Sequence, residues 1–394
     1  MRVSDKAALE RDPEGSRRVS LLELFFDLVY VVALALISGH LATHHTWLGA
    51  LESLLLLMGM WWVWSITAFL TDLYDPQQIS IKLITITVML GSLLMAATLP
   101  RAFGEYGLVF ACAYVGIHFS RGLFLVPLLR GQQAQKRAIR IFFWFALSAV
   151  PWIMGGFADD PGLRAGLWGL ALAIDYGAFS LGYPTPLLGR LPKTQYNVTA
   201  EHLAERYQQF IIIALGDGIL VIGLTFSKTE FDLGRSLAFI VAFTSSLLLW
   251  RIYSHRAGEV LPLAIESVVE TRRFFRVAPY THLAMVAGIV ITAASFEIIL
   301  QDPLGHTNWG MVLVLLGGPA LFVLGRSRFE YEVFGRVSKS RIVALLILTA
   351  LTPAMILLPP VAIAAAATVV LAGMAVSDTA RSWGRVPETP SPPA

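Results

Sequence analysis

Cysteine is all but missing from this chain. The one thiol, Cys112, stands in an apolar run, which excludes a disulfide framework and any cysteine-built metal centre. Charge is scarce as well: Lys, Arg, Asp and Glu make up 14% of the 394 residues, against about 25% in ordinary soluble domains. Signatures of soluble catalysis are lacking too. There is no P-loop, no GxGxxG after a strand, no HExxH and no GxSxG, and strict DDxxD-type acid pairs do not occur. Residues 1–20 are polar and lack a cleavage site ahead of the first apolar segment, so no signal peptide is read.

What is present is hydrocarbon. Hydrophobic residues are 56% of the chain, gathered into twelve segments: 22–42, 48–70, 82–99, 105–128, 137–155, 163–182, 206–227, 233–253, 279–300, 309–326, 341–358 and 360–376. Each has about the length a helix needs to cross some 30 Å of hydrocarbon. The fold class expected is therefore an all-α integral membrane protein of about twelve transmembrane helices. The net charge of +3 does not indicate nucleic acid, because the basic residues follow topology. Arg2, Lys6, Arg11, Arg17 and Arg18 precede the first segment. Every second loop after it is basic, with Arg130, Lys136, Arg137 and Arg140; Arg190 and Lys193; Arg256, Arg272, Arg273 and Arg276; and Arg328, Arg336 and Lys339. Only 71–81 is poor in this series, with Lys82 at its edge. The positive-inside rule then puts both termini in the cytoplasm.

The two halves echo each other. YGLVFACAYVGIHFSRGLF (106–124) parallels WGMVLVLLGGPALFVLGRSRF (309–329), and RIFFWFALSAVPWIMGG (140–156) parallels RIVALLILTALTPAMILLP (341–359), with Pro151 and Pro353 in like positions. An even number of spans per half makes this a parallel 6+6 repeat, a plan used by some transporters. The domains read as a basic cytoplasmic arm (1–20), a first six-helix half (21–182), a cytoplasmic linker (183–205), a second half (206–376) and a disordered tail (377–394).

Ionisable groups inside hydrocarbon mark functional sites by default. ELFFDL places Glu23 and Asp27 one helical turn apart on one face. Glu23 also suits a helix N-terminus, where an acid meets the positive dipole end; Asp27 is too deep for that. AEHLAERYQQFIIIALGDGIL groups His202, Glu205 and Arg206, and Asp217 follows three turns later on the same face, about 16 Å deeper at 1.5 Å per residue. His282 opens the ninth segment. Asp72 and Asp75 close the second, either as a solvated helix end or as weak magnesium ligands. Trp61, Trp62 and Trp64 read as lipid-facing or packing side chains, with Trp62 and Phe26 as alternatives for lining a pocket. Arg121 and Asp175 read as a buried pair joining the fourth and sixth spans. His40, His44 and His45 cluster with no carboxylate beside them in sequence.

Three stretches together, VSLLELFFDLVYVVAL, MWWVWSITAFLTDLYD and HLAERYQQFIIIALGD, resemble the low temperature requirement protein A (LtrA) family of bacterial membrane proteins, and the resemblance runs from Val19 to about the twelfth span. It implies a multi-pass protein of the bacterial inner (cytoplasmic) membrane, and it falls on Glu23, Asp27, His202, Glu205, Arg206 and Asp217. At Asp217 the family more usually has glutamate. The family name describes a growth trait, not a chemistry, so two functions stand. The first is a proton- or cation-coupled secondary transporter of a small or amphipathic molecule. Asp217 would take the coupling proton; Glu23, Asp27 and Arg206 would form an inner vestibule that orients substrate, with Glu205 among the coupling or acid–base groups and His202 and His282 among the substrate contacts. The alternative is a membrane-embedded enzyme on a lipid or isoprenoid diphosphate, with magnesium as its cofactor. The expected partners are the bilayer and such a molecule, and no nucleic acid.

Overall fold

A computed structural model of the chain describes residues 9, 11, 18–44, 46–192, 200–255 and 271–383. His45, the stretch 193–199 with Lys193, the basic loop at 256–270 and the PETPSPPA tail lie outside the described residues. So do most of the N-terminal arm and the side chains of Arg272, Arg273 and Arg276.

Among the described residues the secondary structure is helical, in twelve long helices: α1 (Leu21–Thr43), α2 (Trp47–Leu73), α3 (Ile79–Thr98), α4 (Gly107–Leu128), α5 (Gln133–Phe157), α6 (Pro161–Leu181), α7 (Ala200–Phe226), α8 (Leu233–Ser254), α9 (Thr271–Gln301), α10 (Trp309–Phe334), α11 (Lys339–Met355) and α12 (Pro360–Ser382). Ten of them are long and apolar enough by themselves to cross a membrane; α6 and α11 fall short. The outward faces are apolar: Leu83, Leu90, Val150, Leu237, Ile240 and Leu346 are all exposed, a surface suited to lipid tails and not to water.

Local chemistry sets the helix ends. Asp160, Asp232 and Asn308 cap α6, α8 and α10 by accepting from the backbone N–H three residues on, at 2.6, 2.8 and 2.9 Å. The Arg235 N–H holds the exposed Asp232 carboxyl below the usual carboxylate range. Gly335 ends α10 in the left-handed region, at φ 64°. α12 continues to Ser382, past the 376 read for the last span. Its extra turn is fixed by Asp378, which accepts from Arg381 at 2.5 Å and from Ser340 at 3.0 Å. α7 likewise starts at Ala200, inside the stretch read as linker.

The chain divides into two compact units, Met1–Leu36 with Leu54–Arg206, and Ile37–Ser53 with Tyr207–Ala394. In the first, α4 packs on α3 and α5, and α5 on α6. Polar bonds tie these to the flanking helices: Tyr30 to Ser92 at 3.2 Å, Tyr176 to the Met58 carbonyl at 3.0 Å, and Tyr114 to Asp175 at 2.7 Å. In the second, α9 and α10 are closely packed, and α8, α11 and α12 complete the core. Two glycines permit the α9–α10 approach. A Cβ on Gly288 would lie 2.7 Å from the Phe322 Cα, and one on Gly318 would lie 2.7 Å from the Thr292 nitrogen. This is the small-residue packing that membrane helices use in place of a hydrophobic driving force.

Candidate functional site

In the first unit the beginnings of α1 and α7 and the end of α2 bring five ionisable side chains together. Glu23, Asp27, Asp72, His202 and Arg206 are each at most 2% exposed. Arg206 grips Asp27 with both terminal nitrogens, at 2.6 Å to Oδ2 and 2.8 Å to Oδ1, the bidentate geometry of a strong charge-assisted pair. Trp64 donates its indole N–H to Asp27 Oδ1 at 2.9 Å, and its ring lies 5.6 Å from the Arg206 guanidinium carbon. The expectation that this tryptophan faces lipid or merely packs is overturned, because it holds the carboxylate. Trp61 is buried as well and lies 5.0 Å from Trp64.

His202 sits between two acids. Its Nδ1 is hydrogen-bonded to Asp72 Oδ1 at 3.0 Å, and its Nε2 lies 3.1 Å from Glu23 Oε1 without the alignment of a hydrogen bond. A neutral imidazole has one N–H to give. Two carboxylate neighbours therefore call for one more proton, on the ring or on an acid. Three carboxylates face one guanidinium and one imidazole, so the set stays net negative even with the ring protonated.

Glu23 serves in two ways. Its Oε2 accepts from the Ser20 N–H at 2.8 Å and the Ser20 hydroxyl at 2.9 Å, while Ser20 Oγ receives the Glu23 N–H at 3.3 Å. This is a capping box closing the first turn of α1. Its other oxygen faces His202, so the helix cap and the cluster are one residue. The sequence signal for it is the S-x-x-E pattern of Ser20 and Glu23. Asp72, expected at a solvated end beside Asp75, is instead buried on His202, whereas Asp75 turns away to cap the Gln77 N–H at 2.9 Å. The two acids offer magnesium no shared face, and both His202 nitrogens already face carboxylates. Among the described residues no three His, Cys, Asp or Glu side chains form a metal-binding group.

The remaining expected site residues lie elsewhere. Glu205 accepts from the Val19 N–H at 3.2 Å, tethering the chain ahead of α1. Phe26 packs edge-on against Tyr30, and Trp62 lies 4.3 Å from Tyr176 and 5.5 Å from Phe179. Arg121 and Asp175 do not pair: Arg121 donates to Thr67 and Asp175 accepts from Tyr114. In the second unit Asp217 accepts from Ser38 at 3.3 Å, and its Oδ2 is buried without a partner. Glu297 is near enough to act on it electrostatically. His282 donates from Nδ1 to the Ala278 carbonyl, 2.9 Å away, and stacks on Tyr207 at 4.5 Å. His40 does have an acid beside it, Glu52 at 3.6 Å, brought from α2 by the turn that follows α1.

The apolar helices and their buried acid–base cluster define a multi-pass α-helical membrane protein with an ionisable interior. Residues 18–376 match the family described as Bacterial low temperature requirement A protein (LtrA), and the chain belongs to that family. It is also 36% identical, over 324 residues, to an uncharacterized protein of Rhizobium meliloti (strain 1021); the match covers 80% of this chain and 78% of that one. No solved structure matches the chain.

Proposed function

We propose that the protein is a proton- or cation-coupled secondary transporter of a small or amphipathic molecule in the bacterial inner membrane. The observation that carries this reading is His202 held between Glu23 and Asp72 beside the Asp27–Arg206 pair, all buried in membrane helices. Such a network exchanges partners when it gains or loses a proton, and a carrier needs that of its coupling site. Asp217 supports the same reading. It lies eleven residues along α7 from Arg206, about 16 Å at 1.5 Å per residue, with one carboxylate oxygen unpartnered.

The enzymatic alternative draws on one feature, the gathering of acids and tryptophans at the ends of α1, α2 and α7. Its magnesium-dependent form is poorly served by Asp72 and Asp75 as they stand, so it reduces to acid–base chemistry on an apolar substrate by Glu23 and Asp27.

The test uses everted vesicles containing the protein and a pH-reporting dye. They are challenged with a panel of amphipathic cations, amphipathic anions and neutral solutes. At least one should dissipate the pH gradient through the wild type and not through Asp27→Asn. If no solute moves protons while lipid extracts yield a new product, the enzyme reading replaces this one.

A further inference from the structure

Most buried arginines of the first unit are visibly provided for. Arg164 donates to four backbone carbonyls, those of Gly155, Ala102, Gly104 and Ala158, at 2.6–3.1 Å. Arg140 takes the carbonyls of Leu188 and Gly189, and Arg206 takes Asp27. Arg121, on α4, is different. It is 4% exposed, and its one short bond goes to the neutral Thr67 hydroxyl at 2.8 Å. Its NH1 reaches His118 Nδ1 only at 3.4 Å, and its Nε has no partner. The acid that the sequence offered it, Asp175, is taken by Tyr114.

A cation in a low-dielectric interior whose donors are left short of acceptors is strongly disfavoured. The neighbourhood adds a second open donor. Because His118 Nδ1 accepts from Arg121, the neutral ring carries its proton on Nε2, and that atom is buried without a partner. His118 and Arg121 are three residues apart and so share a face of α4. The side chains packed around the pair are aromatic: His118 stacks on Phe145 at 3.7 Å and lies 4.6 Å from Tyr114, itself 4.3 Å from Trp152.

We infer that the first unit holds, apart from the Glu23–His202 network, a binding site for a carboxylate monoanion on an apolar or aromatic body, with Arg121 as its counter-charge and His118 as a second donor. The planar guanidinium fork matches a carboxylate, and the ring walls suit the body attached to it. The inference does not depend on the transport reading, since it concerns binding and is tested by binding.

The full chain in detergent is unfolded by heat while its tryptophan fluorescence is followed, with sodium benzoate titrated against sodium chloride at constant ionic strength. Benzoate should raise the midpoint saturably in the wild type, and chloride should not. Arg121→Gln should lose the rise and, without anion, be at least as stable as the wild type, because an unpaired buried charge has been removed. Arg121→Lys keeps the charge and loses the fork, so its saturation should move to higher benzoate; His118→Phe should do the same. An equal chloride effect, no saturable rise in the wild type, or an undiminished rise in Arg121→Gln overturns the proposal. Should Arg121→Gln fail to fold, unchanged saturation in both Arg121→Lys and His118→Phe overturns it equally.

Discussion

Asp27 has three hydrogen bonds from two side chains, two from Arg206 and one from Trp64. Removing the acid takes away the bidentate partner of a buried guanidinium and leaves it only Glu23, 3.9 Å from its Nε; breaking such a buried pair costs about 3 to 5 kcal/mol in comparable cases. Asp27→Asn should therefore lower the thermal midpoint as well as abolish transport. The double change Asp27→Leu with Arg206→Met should recover the midpoint and leave transport dead. If the double variant is no more stable than Asp27→Asn, the pair is not the source of the loss. Asp217 gives the opposite pattern. Asp217→Asn mimics a permanently protonated acid, so uphill transport should vanish while substrate exchange persists; Asp217→Glu, the more usual family residue, should retain partial function. Wild-type coupling in both variants would make Asp217 structural. The identities of these residues were legible because acids in hydrocarbon stand out. Their partners were not. Nothing in MWWVWSITAFLTDLYD tells which of three tryptophans turns toward an acid 37 positions away, or that Asp72 meets a histidine 130 positions away. Those pairings are tertiary.

At the scale of the helix, the twelve segments read from apolar runs correspond to the twelve long helices among the described residues, ten of which have spanning length and composition by themselves. The ends were harder. α12 outran its apolar stretch because Asp378 and Arg381 satisfy each other, a local charge pattern that a hydropathy reading counts as the start of a tail. The α9–α10 contact was also hidden, since the glycines matter through what faces them. Gly288→Leu or Gly318→Leu should force the two backbones apart and reduce the yield of folded protein in detergent, whereas Gly317→Leu, with no atom near its would-be Cβ, should be tolerated. Equal yields for all three would remove the close-packing argument.

At the scale of the whole chain, topology is the property that sequence predicts most directly. Tags at residue 1 and residue 394 should both report the cytoplasm, and a tag placed in 301–308 should report the outside, as read by membrane-impermeant labelling. An external C-terminus would undo the even span count and the parallel repeat with it. The repeat itself rests on paired stretches such as 140–156 and 341–359. The arginines that open them now have different surroundings: Arg140 binds loop carbonyls, and Arg341 binds Glu330 at 2.5 Å. The polar chemistry at the start of the two stretches is different.

One carboxylate joins the local and the global scales. Glu23 closes the first turn of α1 with one oxygen and faces His202 with the other. Loss of the Glu23 charge would weaken its acceptance from the Ser20 N–H and its attraction to the imidazole together. Neutralising this one side chain should therefore fray a helix start, a change in length and not only in charge. The Ser20 and Glu23 amides should accordingly exchange with deuterium faster in Glu23→Gln than in the wild type, while amides in the middle of α1 keep their protection.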